Sequence, residues 1–352
     1  MQSRREAAPF GVFILWHSVF SQPKDRFYSM NRFSVLALSL IVVWFASPLM
    51  AEEPHPGAEA FVAQVVAEHG LDTELVRAVL ADARYQQSII DAISRPAESK
   101  PWHQYRPIFL TETRIAAGAE FWRANASLLD QVGERFGVPV EVVVAIVGVE
   151  TNYGMNTGSF RVIDALATLG FYFPRRAEFF ASELGHFIAL AAEEELPLYE
   201  VKGSYAGAMG IGQFIPSSYR AYSVDFDDTG NRDLWRSLPD ALGSVANYLA
   251  VHRWTPGAPI ALPVSSVPAA LNEDFPIRPE HTLDDLANMG VTFDAQGLDG
   301  ATPATLIELE GETGSEYWVG LNNFYVITRY NRSPLYAMAV TQLSAAIRER
   351  AE

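Results

Sequence analysis

Cysteine is absent from all 352 residues, which rules out a disulfide framework and any thiolate metal site. The seven histidines, at positions 17, 55, 69, 103, 186, 252 and 281, stand singly. No HExxH spacing occurs, which argues against a metallohydrolase. Basic charge is short as well: 26 Lys and Arg stand against 42 Asp and Glu, for a formal charge of −16. No basic stripe is available to neutralise phosphates, so a nucleic-acid partner is not expected. The chain also lacks internal repeats, low-complexity segments and an apolar run of comfortable membrane-spanning length.

With 49% apolar residues, the chain can bury a large core and is expected to form more than one subdomain. Its first 51 residues read as a leader. Met30-Asn31-Arg32 opens a short basic stretch, residues 35–45 are apolar, and Ser47-Pro48-Leu49-Met50-Ala51 resembles a cleavage site, with Leu49 larger than usual. Met30 is the expected true start. With no Cys after the apolar run, a lipid anchor has no attachment point, so an exported, soluble, periplasmic protein is expected, with an uncleaved anchor as the plainer alternative. Loss of residues 1–51 removes more basic than acidic groups and leaves the remainder more negative still.

Downstream, Phe61, Val62, Val65 and Val66 mark one face of a helix that Gly70 should end, and Asp72 should cap the next one. Residues 99–107 look irregular and aromatic, and 112–136 form a long amphipathic segment. The run Val142-Val143-Val144-Ala145-Ile146-Val147-Gly148-Val149 follows Gly137-Val138-Pro139. Its β-branched content also suits a buried strand, but its length and proline start favour a helix with Glu150 in the last turn. Helices are also predicted over 161–196 and 238–253. Residues 258–320, rich in proline and glycine with short β-branched runs, predict a small strand-containing unit. Tyr336, Val340, Leu343 and Ile347 then share a helical face, with Arg348 and Arg350 near its C-terminal end.

A carboxyl pressed against apolar packing tends to hold its proton to higher pH, as a general acid must. Glu150 is such a carboxyl. It is followed by Thr151-Asn152-Tyr153-Gly154 and, some fifty residues later, by Ser204-Tyr205-Ala206-Gly207-Ala208-Met209-Gly210-Ile211-Gly212-Gln213-Phe214-Ile215-Pro216. An arbitrary Glu would simply decorate a solvated helix end. This pairing instead resembles the lysozyme-like lytic transglycosylases, in which a Glu at a helix end faces a glycine-rich segment containing a Gln. Within that group the chain is most similar to the lytic murein transglycosylase B family. The likeness lies in Ile146-Val147-Gly148-Val149-Glu150-Thr151, Asp164-Ala165-Leu166-Ala167-Thr168-Leu169, Pro174-Arg175-Arg176-Ala177-Glu178, Gly243-Ser244-Val245-Ala246-Asn247-Tyr248 and Asn323-Phe324-Tyr325-Val326-Ile327-Thr328-Arg329-Tyr330-Asn331, in that order along nearly the whole mature chain.

The resemblance implies a mainly α (α+β) fold with a lysozyme-like helical core at 111–255. An N-terminal helical subdomain would occupy 52–110, a small β-containing subdomain 256–320, and 321–352 would return to the core. It implies cleavage of the β-1,4 bond between N-acetylmuramic acid and N-acetylglucosamine, with Glu150 as lone acid/base. It places Ser204, Gln213, Tyr248, Tyr330 and Asn331 on the substrate near the cleaved bond, and Tyr105, Arg175 and Arg176 further along the groove. Amides and hydroxyls suit acetamido groups, aromatic faces suit sugars, and arginines suit lactyl or peptide carboxylates. Plainer readings stand beside these: helical aromatics are usually core, and Arg176 with Glu178 or Glu183 reads equally as a surface pair. Glu178 and Asp164 are taken as structural. No cofactor is required for the chemistry. Peptidoglycan strands are the expected partner, with complexes of cell-wall synthesis or division as candidate protein partners, and a monomer is expected.

Residues 225–233 place oxygen-bearing side chains at positions 1, 3, 5, 7 and 9 of a loop with Gly230 at 6, the spacing of an EF-hand calcium loop. Position 12 is Arg236 rather than Glu. The family carries a longer loop of this type, in which Asp240 would supply the late carboxylate. Asp225, Asp227, Thr229, Asn231 and Asp240 are thus the candidate ligands of a weak structural Ca2+, against a solvated acidic turn. Two further functional readings compete: a hydrolytic muramidase of the same fold, needing a second carboxylate, and a non-catalytic peptidoglycan binder, which would lose the acid.

Overall fold

Helix α1 (Ala58–His69) ends at Gly70, which adopts φ 66° and returns its N–H to Val66 O. Asp72 then caps α2 (Thr73–Asp82) by accepting the Leu75 N–H at 2.9 Å. These are the boundaries the sequence predicts. A computed structural model describes residues 55–95, 99–271 and 273–352. The leader expected over 1–51 lies outside the described residues.

After α3 (Gln87–Ile93) the segment expected to be irregular is helical: α4 (Trp102–Phe109) forms despite Pro107. Trp102, Tyr105 and Phe109 fall on one face and all are buried, so tertiary burial outweighs the lost backbone bond. The long amphipathic segment is two helices, α5 (Glu112–Ala124) and α6 (Ala126–Phe136), broken at Asn125, whose side chain bonds back to Phe121 O.

Helix α7 (Val140–Thr151) is surrounded: every residue from Glu141 to Thr151 is buried. Helices α5 and α6 pack on it, as do α11 and α14, described below. Full enclosure explains how a valine-rich run that would suit a strand is stable as a helix, since packing overrides weak intrinsic propensity. The predicted helix over 161–196 is divided. A two-residue strand β1 (Phe160–Arg161) leads into α8 (Val162–Tyr172), a single 3-10 turn at Pro174–Arg176 follows, and α9 (Ala177–Glu193) continues. The break falls where Pro174 denies its N–H to a continuous helix. Strand β2 (Lys202–Gly203) pairs antiparallel with β1, and α10 (Pro216–Tyr222) and α11 (Leu238–Val251) complete the first half of the core.

The chain then builds a five-stranded antiparallel sheet from β3 (Ala261–Ser266), β4 (His281–Thr282), β5 (Thr292–Phe293), β6 (Pro303–Glu310) and β7 (Ser315–Gly320), in the order β4-β6-β7-β3-β5. A short helix α12 (Leu283–Asn288) packs on β6. This unit has an apolar cluster of its own, including Leu262, Leu286, Leu306 and Val319. Its exit is fixed by Asn323, which accepts the Thr255 N–H and donates to Thr255 O and Ala258 O. Helices α13 (Asn322–Tyr330) and α14 (Pro334–Ala351) thereby return to the main core, where Tyr336, Val340, Leu343 and Ile347 are all buried. Arg348 and Arg350 tie the end of α14 to Glu141 and Glu112. The result is the predicted mainly helical α+β fold.

Candidate active site

Glu150 sits in the last turn of α7 and is 6% exposed. Tyr336, from the first turn of α14, donates its hydroxyl to Glu150 Oε1 at 2.6 Å. Tyr330, at the end of α13, is close enough for the Glu150 charge to lift its hydroxyl pKa, on top of the larger lift from burial. Burial and then Glu150 act on Tyr336 in the same direction, and Tyr105 adds to it. Glu150 is therefore flanked by tyrosines brought from α13 and α14.

Opposite α7 stands a tight hairpin in the glycine-rich segment. Met209 and Phe214 exchange backbone bonds at 2.9 Å each way. Gly210 adopts φ 70°, and a Cβ there would lie 2.5 Å from Leu234 O, so only glycine lets the hairpin dock this closely. Gln213, at φ 52°, donates its amide to Gly210 O at 2.9 Å and to Thr157 O at 3.1 Å. Its Oε1 is buried and accepts no hydrogen bond among the described residues.

The other expected contacts are placed as follows. Tyr330 donates to Gly212 O at 2.5 Å, and Tyr248 donates to Arg329 O at 2.5 Å; both rings pack edge-on against Phe214 behind the hairpin. Ser204 accepts the N–H groups of Ala206 and Ala208 and so shapes the turn entering the hairpin. Asn331 is buried directly after Tyr330. Tyr105 is fully buried, its ring packed between Trp102 and Phe109. Arg175 is exposed on the 3-10 turn, whereas Arg176 lies over the rings of Phe179 and Phe180.

Sequence reasoning missed Tyr336 as a site residue. It was visible only as a core position on the apolar face of α14, although a buried tyrosine hydroxyl requires a partner and so carried a signal.

Among the described residues, the buried carboxyls besides Glu150 are Glu141, Asp164, Glu183 and Asp240. Glu141 pairs with Arg348. Asp164 is bonded by Arg161 and by Arg84 N and Gln86 Nε2, which bears out its structural reading. Glu183 accepts the Ser217 N–H and hydroxyl. Burial pushes its carboxyl up to about 7, against the lowering effect of those bonds. Because the folded pKa exceeds the unfolded one, the native state holds an extra proton between about pH 4.5 and 7, and stability falls as pH rises through that window. We predict that Glu183→Gln, whose amide oxygen can still accept the Ser217 N–H while its NH2 donates to the Ser217 hydroxyl, flattens this slope. The variant should be more stable than the parent by up to about 3 kcal/mol at pH 8 and little different near pH 4.5. Denaturant midpoints at the two pH values check it, and parallel pH dependences would contradict it.

The acidic loop brings together Asp225, Asp227 and Asp240, whose carboxylate oxygens lie within 4.8 Å of one another. Asp225 accepts the N–H groups of Thr229 and Gly230, and Asp240 those of Phe226 and Asp233. Burial, with Asp227 adding like charge, raises the pKa of Asp240. Thr229 donates to Asn231 Oδ1 at 3.3 Å. Three hard oxygen donors with mutual repulsion fit a divalent cation such as Ca2+.

The model of the family described as "Transglycosylase SLT domain" matches residues 54–345. The membrane-bound lytic murein transglycosylase B of Escherichia coli (strain K12) is 40% identical over 303 residues, covering 83% of each chain. The crystal structure of the soluble lytic transglycosylase SltB1 from Pseudomonas aeruginosa is 44% identical, with a TM-score of 0.76 over 84% of this chain and 100% of that one. The Escherichia coli lytic transglycosylase Slt35, solved in complex with calcium, is 40% identical, with a TM-score of 0.76 over 84% and 94% of the two chains. A family match across most of the chain, on a fold that sets a helix-end glutamate opposite a glycine-rich hairpin, leaves one conclusion: this protein belongs to the SLT transglycosylase domain family.

Proposed function

We propose that this chain cleaves the β-1,4 bond between N-acetylmuramic acid and N-acetylglucosamine in peptidoglycan and closes a 1,6-anhydro ring, with Glu150 as the single acid/base. The observation that carries this reading is the placement of Glu150 in the last turn of α7, whose next residue, Thr151, bonds the glycine-rich hairpin. Glu150 is a buried carboxyl that accepts the Tyr336 hydroxyl beside the hairpin, and the other buried carboxyls among the described residues are bonded on other parts of the fold. Ordinary glycosidases use two carboxyl groups flanking the bond, the second to attack or to activate water.

With one carboxyl the nucleophile comes from the sugar. Tyr336 donates its hydroxyl to Oε1 and so fixes the orientation of the carboxyl. Glu150 protonates the glycosidic oxygen, and the bond to C1 of the muramic acid breaks. The substrate's own acetamido oxygen stabilises the positive charge. The C6 hydroxyl then attacks C1 and gives its proton to the Glu150 carboxylate, which restores the acid. The Gln213 Oε1 is an acceptor for an acetamido N–H. Arg175 and Arg176 are cations for lactyl or peptide carboxylates, and Ser204, Tyr105, Tyr248, Tyr330 and Asn331 shape the walls. Peptidoglycan lies outside the cytoplasmic membrane, so the protein acts in the periplasm, and no helix of the described residues is long and apolar enough to cross a membrane. Mass spectrometry of muropeptides released by the purified protein tests the reading. Anhydro ends, lighter by one water, support it; reducing ends alone would replace it with a hydrolase.

Asp225, Asp227 and Asp240 would hold a structural Ca2+ that braces the turn entering α11 and takes no part in the bond-breaking chemistry. Saturating Ca2+ at about 100 times its dissociation constant should add about 2.7 kcal/mol, a rise of a few degrees in Tm. The rise should be reversed by chelator and absent in Asp240→Asn. A Tm indifferent to Ca2+ would remove the metal from the account.

A further inference from the structure

The turn that follows Glu150 is strained. Asn152, Tyr153 and Gly154 adopt φ of 50°, 61° and 84°, three consecutive residues in the left-handed region where two carry side chains. Such backbone costs about 1–3 kcal/mol per non-glycine residue and persists only where its surroundings impose it. Tyr153 is one restraint, through a hydroxyl bond to Arg114 O at 2.8 Å. The other is Thr151, which is 1% exposed. Its Oγ1 accepts the Gly154 N–H at 2.9 Å, closing the turn, and lies 2.9 Å from Ile211 O and 3.2 Å from Val147 O. A hydroxyl has one proton, and the shorter contact directs it across to Ile211.

That bond completes a pattern in the hairpin. Three successive carbonyls are each held by a different side chain: Gly210 O by Gln213 Nε2, Ile211 O by Thr151 and Gly212 O by Tyr330. Of the three, Thr151 alone is the chain neighbour of the acid. Its side chain is thus the direct link between the helix end that carries Glu150 and the hairpin that carries Gln213.

We infer that Thr151 is a positioning residue of the reaction, whose hydroxyl fixes the Glu150 carboxyl relative to the Gly210–Gln213 hairpin. The inference rests on the reading of Glu150 as the acid. An Ile211 carbonyl released from Thr151 can rotate, and the strained turn loses its closing acceptor. Both changes move the proton donor against the bound sugar, where a shift of about 1 Å costs about 10²-fold in rate.

The test compares Thr151→Val, which keeps shape and loses the hydroxyl, with Thr151→Ser, which keeps it. On a soluble glycan fragment, kcat for the Val variant should fall about 10²-fold with KM within a few-fold, and the alkaline limb of its pH–rate profile, where the proton donor ionises, should move. The Ser variant should recover kcat to within a few-fold of the parent, with the parent's profile. Should Val fail to fold, Thr151→Ala makes the same comparison without placing a methyl against the Ile211 carbonyl. Parent-like kcat and pH profile in the folded Val or Ala variant, or a Ser variant as impaired as Val, would overturn the inference. The chemistry of the product ends is scored on the parent enzyme, so reducing ends there would count against ring closure and leave the Thr151 comparison readable on the rate of hydrolysis.

Discussion

Glu150→Gln is expected to lower turnover by at least about 10³-fold while the protein keeps its fold and its affinity for glycan. General acid–base assistance is worth about 10²–10⁴-fold per proton transfer, and here one carboxyl serves two transfers. The amide is isosteric, and its oxygen can still accept from Tyr336, so the buried hydroxyl is not orphaned and Tm should stay within a few degrees. Muropeptide release measured by chromatography, with thermal melts and glycan pull-down on the same preparation, separates loss of chemistry from loss of structure. Cleavage within ten-fold of the parent would remove Glu150 from its role.

The largest stability effect is expected at a glycine that falls between the motifs, four residues past the Thr151–Gly154 turn. Gly158 adopts φ 106°, a conformation that side-chain-bearing residues rarely take. A Cβ there would lie 1.9 Å from the carbonyl carbon of Gly203, 2.0 Å from its oxygen and 2.5 Å from Ser204 N. All three are backbone atoms, so no side chain can swing aside. Gly158→Ala must push β2 away from β1, and Ser204 moves with it, carrying the turn that enters the glycine-rich hairpin. Backbone strain and overpacking together should cost about 3–5 kcal/mol. Activity should fall further than the unfolded fraction explains, because the hairpin is displaced in the molecules that remain folded. A denaturant midpoint close to the parent's would show that the two strands are not as tightly abutted as described.

The sequence made the acid legible because three independent signals meet there: a proline-initiated apolar run, a carboxyl at its end, and a glycine-rich segment of matching type. Caps such as Gly70 and Asp72 were legible for the same reason, since each needs only its immediate neighbours. What stayed hidden depended on distant partners. Helix α4 was masked by Pro107, and its stability comes from three aromatic side chains buried by elements far along the chain. The break at Asn125 and the turn at Pro174 interrupt segments whose apolar periodicity runs on through them. Tyr336 could be assigned to the core but not to Glu150, because the two meet only when α14 packs on α7. The aromatic candidates show the opposite bias. Tyr105 and Tyr248 suggested sugar-stacking faces, yet their rings are packed inside, and the Tyr248 hydroxyl is held by Arg329 O.

Digestion of murein in water enriched in heavy oxygen tests the lone-carboxyl mechanism most directly. If the C6 hydroxyl is the nucleophile, the newly formed muramic acid ends are anhydro and carry no label, at every stage of the digest. Heavy oxygen at C1 of those ends from the earliest time point would show that water attacks, and that a second group activates it.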